Sequence, residues 1–163
     1  MTSPEERRRE FLEDCVDVGE DERQGAVRID DPTARRKEAE RSRNQADLHR
    51  RAATDHVEGK APLMTIREGY YAMMHATNEA LTLAGFRIDT HHCTMMGLRG
   101  VFDEPDLADE LRRAREERKN VDYRVDPADP TLENYAGAER FLRETVEPFR
   151  EAIDDLIEDE NLR

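Results

Sequence analysis

The stretch LRRAREERKNVDYRV, residues 111–125, holds the side chains best suited to chemistry. A helix through it sets Leu107, Leu111, Ala114, Val121 and Val125 on one stripe, and Arg118 falls in the middle of that stripe. A guanidinium stays charged at any relevant pH, so an apolar stripe tolerates it only with a partner or with water. Two arrangements meet that condition. Asp122, one turn later, can pair with Arg118 while the stem snorkels to solvent. Alternatively, neighbouring helices hold Arg118 in a cleft, aimed at a phosphate or at a partner's carboxylate. Asn120 and Tyr123 share this helix and are candidate ligand-binding residues, the phenol as a hydrogen-bonding group for phosphate.

A second cluster lies in the most apolar part of the chain. Tyr71, His75 and Asn78 recur at i, i+4 and i+7, which places them on one ridge beside an apolar face. That ridge either lines a polar cleft or is a set of hydrogen-bonded structural residues. In THHC, His91 and His92 start a helix and point about 100° apart, and no HxxxH or HExxH spacing accompanies them. They suit a weak contact with an anion better than a metal. No Ser/His/Asp order, paired-carboxylate signature or phosphate loop stands out, so neither a metal nor a cofactor is expected. RRKEAERSR, residues 35–43, alternates in sign without aromatics and reads as a solvated helix face.

These candidates need helices to position them, and the chain supplies little else. Residues 63–85 form the strongest amphipathic segment, with Leu63, Ile66, Tyr70, Met73, Met74, Thr77, Ala80, Leu81 and Ala84 on one broad stripe and Gly85 as its stop. A long, weakly amphipathic helix over about 33–57 precedes it, lying outside or meeting a partner. A shorter helix follows Thr90 as N-cap, with Met95, Leu98 and Phe102 inward. Pro105 opens the helix of Arg118, and DPADP at 126–130 stops it. A final helix over about 132–159 carries Tyr135, Phe141, Leu142, Phe149, Ile153, Leu156 and Ile157, and Pro148 should kink or divide it. The fold class is all-α, an antiparallel bundle of about five helices over residues 32–163. Residues 1–31 read as a charged extension, partly disordered or loosely packed, with a short helix capped by Ser3.

Composition narrows the setting. The 163 residues carry a net charge of −13, and only Lys37, Lys60 and Lys119 are lysines among the 26 basic residues. Dense carboxylates with few lysines suit a salt-adapted protein, or simply an acidic one. Such a surface opposes broad electrostatic binding of nucleic acid, so any RNA contact must be local. There is no tryptophan, and the other aromatics are four Tyr and five Phe, so aliphatic residues carry the core. Cys15 and Cys93 are far apart, with no disulfide or zinc spacing, and suggest a reducing cytoplasm. Neither a secretory signal nor a membrane span is expected.

The run IREGYYAMMHATNEALTLAGFRIDTHH, followed by DLADELRRAREERKNVDYRV, resembles the minimal HEPN family across roughly residues 60–126. Tyr70, Tyr71, Ala72, Met73, His75 and Ala76 carry the likeness, with NVDY at 120–123 in support. The resemblance implies a helical bundle, commonly a homodimer, acting beside a small nucleotidyltransferase in toxin–antitoxin-type systems and binding nucleotide or RNA. In catalytic members an arginine and a nearby histidine on the later helix form a metal-independent ribonuclease site. Here the arginine maps onto Arg118, but Tyr123, Arg124 and Val125 follow where the histidine belongs. A phenol with a pKa near 10 is a poor base at neutral pH. The expectation is therefore a binding or regulatory component with a degenerate motif. The alternatives are a metal-independent RNA endonuclease in which Arg118 works with a displaced base such as His75, and a bundle that only docks proteins.

Overall fold

Proline and capping residues mark the helix starts. The computed structural model describes residues 2–16, 25–124 and 132–163, without the side chains of 121–124 and 132–136. Its helices are α1 (Pro4–Phe11), α2 (Pro32–Glu58), α3 (Pro62–Leu83), α4 (His91–Val101), α5 (Pro105–Arg124), α6 (Leu132–Phe141) and α7 (Glu147–Asp159). The first three and α5 begin at a proline, whose fixed φ and missing N–H suit the first helical position. The Ser3 hydroxyl accepts from the Glu6 amide, the Asp31 carboxylate from Ala34, and the Thr90 hydroxyl from Cys93. Almost everything described is helical, as an all-α bundle requires.

The central element is α3, which packs against α2, α4, α5, α6 and α7. Neighbours on so many sides explain why burial extends past the expected stripe to Thr65, Gly69, Ala72 and Ala76. Its main partner is α2, joined to it by a short turn in which Lys60 adopts a φ of 56°. The polar appearance of α2 hides its role. Ala39, Ala46 and Ala53, seven residues apart, are all buried and form a seam along which the two backbones approach closely. Leu48, the largest apolar residue of α2, is 58% exposed instead. On α5, Leu111 and Ala114 are buried as the stripe predicts, whereas Leu107 is half-buried and its neighbour Ala108 takes the buried place.

Pro148 divides the last helix. Five residues, Leu142–Val146, form a π-helical turn between α6 and α7. A proline ring would clash with the carbonyl four residues earlier in a regular helix, and that carbonyl belongs to Glu144, within the widened turn.

The N-terminal segment departs from expectation. Instead of a loose extension, α1 and the π-helical turn Leu12–Val16 bury Phe11, Cys15 and Val16 in a second apolar cluster with Ala26, Phe86 and Cys93. Gly100 permits the contact with α4, since a Cβ there would lie 2.6 Å from the Phe11 Cβ and 2.8 Å from the Arg7 carbonyl. Arg7 and Asp103 pair at the rim. Residues Ala26–Arg28 (β1) run antiparallel to Phe86–Ile88 (β2), with Val27 opposite Arg87. Three residues are too few for alternation to show in a sequence. Gly85, at a φ of 103°, makes the turn from α3 into β2.

Cys15 and Cys93 form a disulfide, correcting the expectation of two unpaired thiols. They are 78 residues apart in sequence, yet packing of α1 on α4 brings their Cα atoms to 5.8 Å. The cysteines therefore no longer argue for a reducing compartment. Among the described residues no helix is long and apolar enough to cross a membrane.

Candidate functional site

Four helices contribute side chains to one cluster. Tyr70 and Tyr71 stand next to each other on α3, the first buried in the core and the second half-buried at its edge. From α5, the Arg118 guanidinium lies over both rings, 5.3 Å from the Tyr70 centroid and 5.6 Å from that of Tyr71. Its Nη1 donates to the Tyr71 hydroxyl at 3.1 Å. The arginine on the apolar stripe is thus held between α5 and α3, its flat face on aromatic carbon. Arg115, one turn earlier, has a buried Nε with no hydrogen-bond partner among the described residues.

His91, the first residue of α4, closes one side. Its Nδ1 lies 2.6 Å from the Tyr70 hydroxyl. Burial raises the Tyr70 phenol to about 12 despite the nearby Arg115 and Arg118. Burial, then the same two guanidiniums, hold His91 below its ordinary value. With the phenol protonated and the imidazole neutral at pH 7, the hydroxyl is assigned as donor to Nδ1. The remaining ring proton then sits on Nε2.

The other side is built from α2. His49 Nδ1 donates to Glu68 Oε2 at 2.5 Å, which fixes the orientation of the ring and turns Nε2 away from the carboxylate. The His49 ring lies 5.3 Å from that of Tyr71 and stacks on His75 at 5.3 Å with 3° between planes. Burial, reinforced by His49 and His91, pushes His75 down to about 4. His75 therefore stays neutral through the physiological range.

This shift has a consequence for stability. A histidine whose pKa is lowered by folding is protonated more readily in the unfolded chain. Its contribution is full above the ordinary value of 6.5 and is lost as pH falls toward about 4. The urea midpoint should fall across that window more steeply in wild type than in His75→Gln. Equal slopes would show that His75 is not the group responsible. Comparing the two proteins cancels Glu79 and Glu110, which burial raises and which act in the opposite sense.

Of the residues chosen from sequence, Arg118 and Tyr71 are in direct contact, and His75 joins them through His49. Asn78 ties α3 to α4, its Oδ1 accepting from the Thr94 hydroxyl at 3.0 Å. Asn120 is half-buried on α5, and its side chain makes no hydrogen bond among the described residues. The side chains of Asp122 and Tyr123 lie outside the described residues. Sequence reasoning passed over His49, Glu68 and Arg115, and treated Tyr70 as core alone. No local spacing marks His49, because its partners come from a different helix. Among the described residues no cluster of His, Cys, Asp or Glu is suited to hold a metal ion.

The arrangement is suited to an anion: two guanidiniums, a phenol and the His91 Nε2–H come from neighbouring helices, in a chain of net negative charge. No protein-family model, curated protein or solved structure matches the chain.

Proposed function

We propose that this chain is a HEPN-like component that binds a phosphate of RNA or of a nucleotide at Arg115 and Arg118, with Tyr71 and His91 around it. The observation carrying this reading is the Arg118 guanidinium, laid over Tyr70 and oriented by the Tyr71 hydroxyl. A planar cation held in one orientation can present paired N–H donors to phosphate oxygens. The homodimer, the nucleotidyltransferase partner and the toxin–antitoxin setting implied by the family resemblance belong to this proposal.

The test is a titration of short single-stranded RNA by fluorescence anisotropy, with a chelator present, at rising KCl. Wild type should bind, and affinity should fall as salt rises, because phosphate contacts release counterions. Arg115→Ala should weaken binding about tenfold to a hundredfold, the range of one charge-assisted contact. Absence of binding by wild type across several RNA sequences sinks the proposal.

A second reading, metal-independent cleavage of RNA, is favoured by the His49–Glu68 pair. A carboxylate that holds an imidazole by its Nδ1–H is the arrangement of an oriented general base. His75, at about 4, is the weaker candidate for that role. RNA cleavage lost in both His49→Ala and Glu68→Gln would favour cutting over binding.

A further inference from the structure

His75 faces two environments. One face of its ring stacks on His49, which leads by way of Tyr71 to Arg118. The residue also lines a separate cavity of about 160 Å³ between α2, α3 and the end of β2. That volume corresponds to roughly five waters at their liquid share, enough for one flat ring system.

The lining of this cavity is polar but already neutralised. Arg41 pairs with Glu38 at 3.3 Å, and Arg87 with Asp89 at 3.5 Å, so two cations are matched by two carboxylates and the lining carries no net charge. What remains to greet a ligand is neutral: Ser42, Gln45, Asn78 and the His75 ring. The Thr94 hydroxyl occupies the Asn78 carbonyl oxygen, which leaves the amide N–H donors to the cavity. A phosphate would have to compete with a carboxylate at each cation here. A neutral, planar ligand with hydrogen-bonding edges would find two amides for its edge, with the His75 imidazole in the same wall.

We propose that this cavity is a nucleobase subsite, holding the base of a nucleotide whose phosphate meets Arg118; the second half of that statement rests on the phosphate reading above. The spacing agrees. Tyr71 and Asn78 are seven residues apart on α3, about 10 Å at 1.5 Å rise per residue, a distance one nucleotide spans. The neutral state of His75 favours stacking over charge attraction, so base recognition should survive high salt better than phosphate contact.

Nucleosides test the subsite without involving phosphate. In the full chain at high KCl, nucleosides titrated to millimolar concentration should shift the His75 ring signals in NMR saturably, whereas D-ribose should not. The Gln45→Ala/Asn78→Asp variant should weaken that response at least fivefold. Asp retains the acceptor for Thr94 and loses the donors, and Gln45 is exposed, so the fold is preserved. In parallel, inorganic phosphate should perturb Arg118 Nε–H and leave His75 unmoved. Nucleosides that leave His75 unmoved, or ribose that acts equally, overturn the subsite whatever phosphate does. Nucleoside binding without any phosphate response upholds the cavity and removes the phosphate reading instead.

Discussion

Replacing Cys15 and Cys93 with serine lowers the stability of this domain by about 4.5 kcal/mol, the chain-entropy value for a closed loop of 78 residues. That is a large share of the roughly 5–15 kcal/mol available to a single domain. The loop spans α2, α3 and both strands, so its closure constrains much of the unfolded chain. In the folded state the bond fastens α1 to the first turn of α4, where His91 stands two residues before Cys93. Urea denaturation of the double serine variant should show a midpoint about 2 M lower than wild type, taking a slope of about 2 kcal/mol/M. The variant avoids relying on a reductant to reach a buried bond. A loss below about 1 kcal/mol would mean that Phe11, packed edge-on against Phe86, holds α1 in place without the bond.

Arg118→Ala should reduce RNA affinity by about tenfold to a hundredfold, the range of a charge-assisted hydrogen bond removed from a desolvated site. Part of the effect arises before any ligand binds. The guanidinium shields the Tyr70 and Tyr71 rings, and its removal also costs about 0.5–2 kcal/mol of stability. Helical content by circular dichroism, with a urea curve for the variant, separates the two contributions. Arg118→Lys provides the finer comparison. An ammonium keeps the charge but cannot lie flat on Tyr70 while presenting a fork of donors, so Lys should recover little of the affinity. Full affinity in the Lys variant would reduce the site to a point charge. Full affinity in the Ala variant would remove Arg118 from binding altogether.

The site was legible where its residues share a helix. Tyr71, His75 and Asn78 follow from spacing alone, and Arg118 stands out because its stripe is otherwise apolar. Their contact with α2 was not legible. His49 sits among arginines, and only the alanine seam of α2 against α3 turns it toward Tyr71. The carboxylate that orients it lies nineteen residues away, on the next helix. Periodicity identifies a helix face but does not say which neighbour that face will meet.

The N-terminal segment shows the same division. Its charge density predicted weak attachment, yet three buried side chains and one glycine on α4 settle it in place.

By itself, the sequence determined the helices, their caps and breaks, the central role of α3 and the acid-rich surface, because these follow from local propensity and from i, i+3, i+4 spacing. Only the tertiary structure decided that Cys15 meets Cys93, that α2 delivers His49 to Tyr71, and that Arg118 rests on two tyrosines. Those contacts join residues tens of positions apart, and they depend on which small residues allow two backbones to come close.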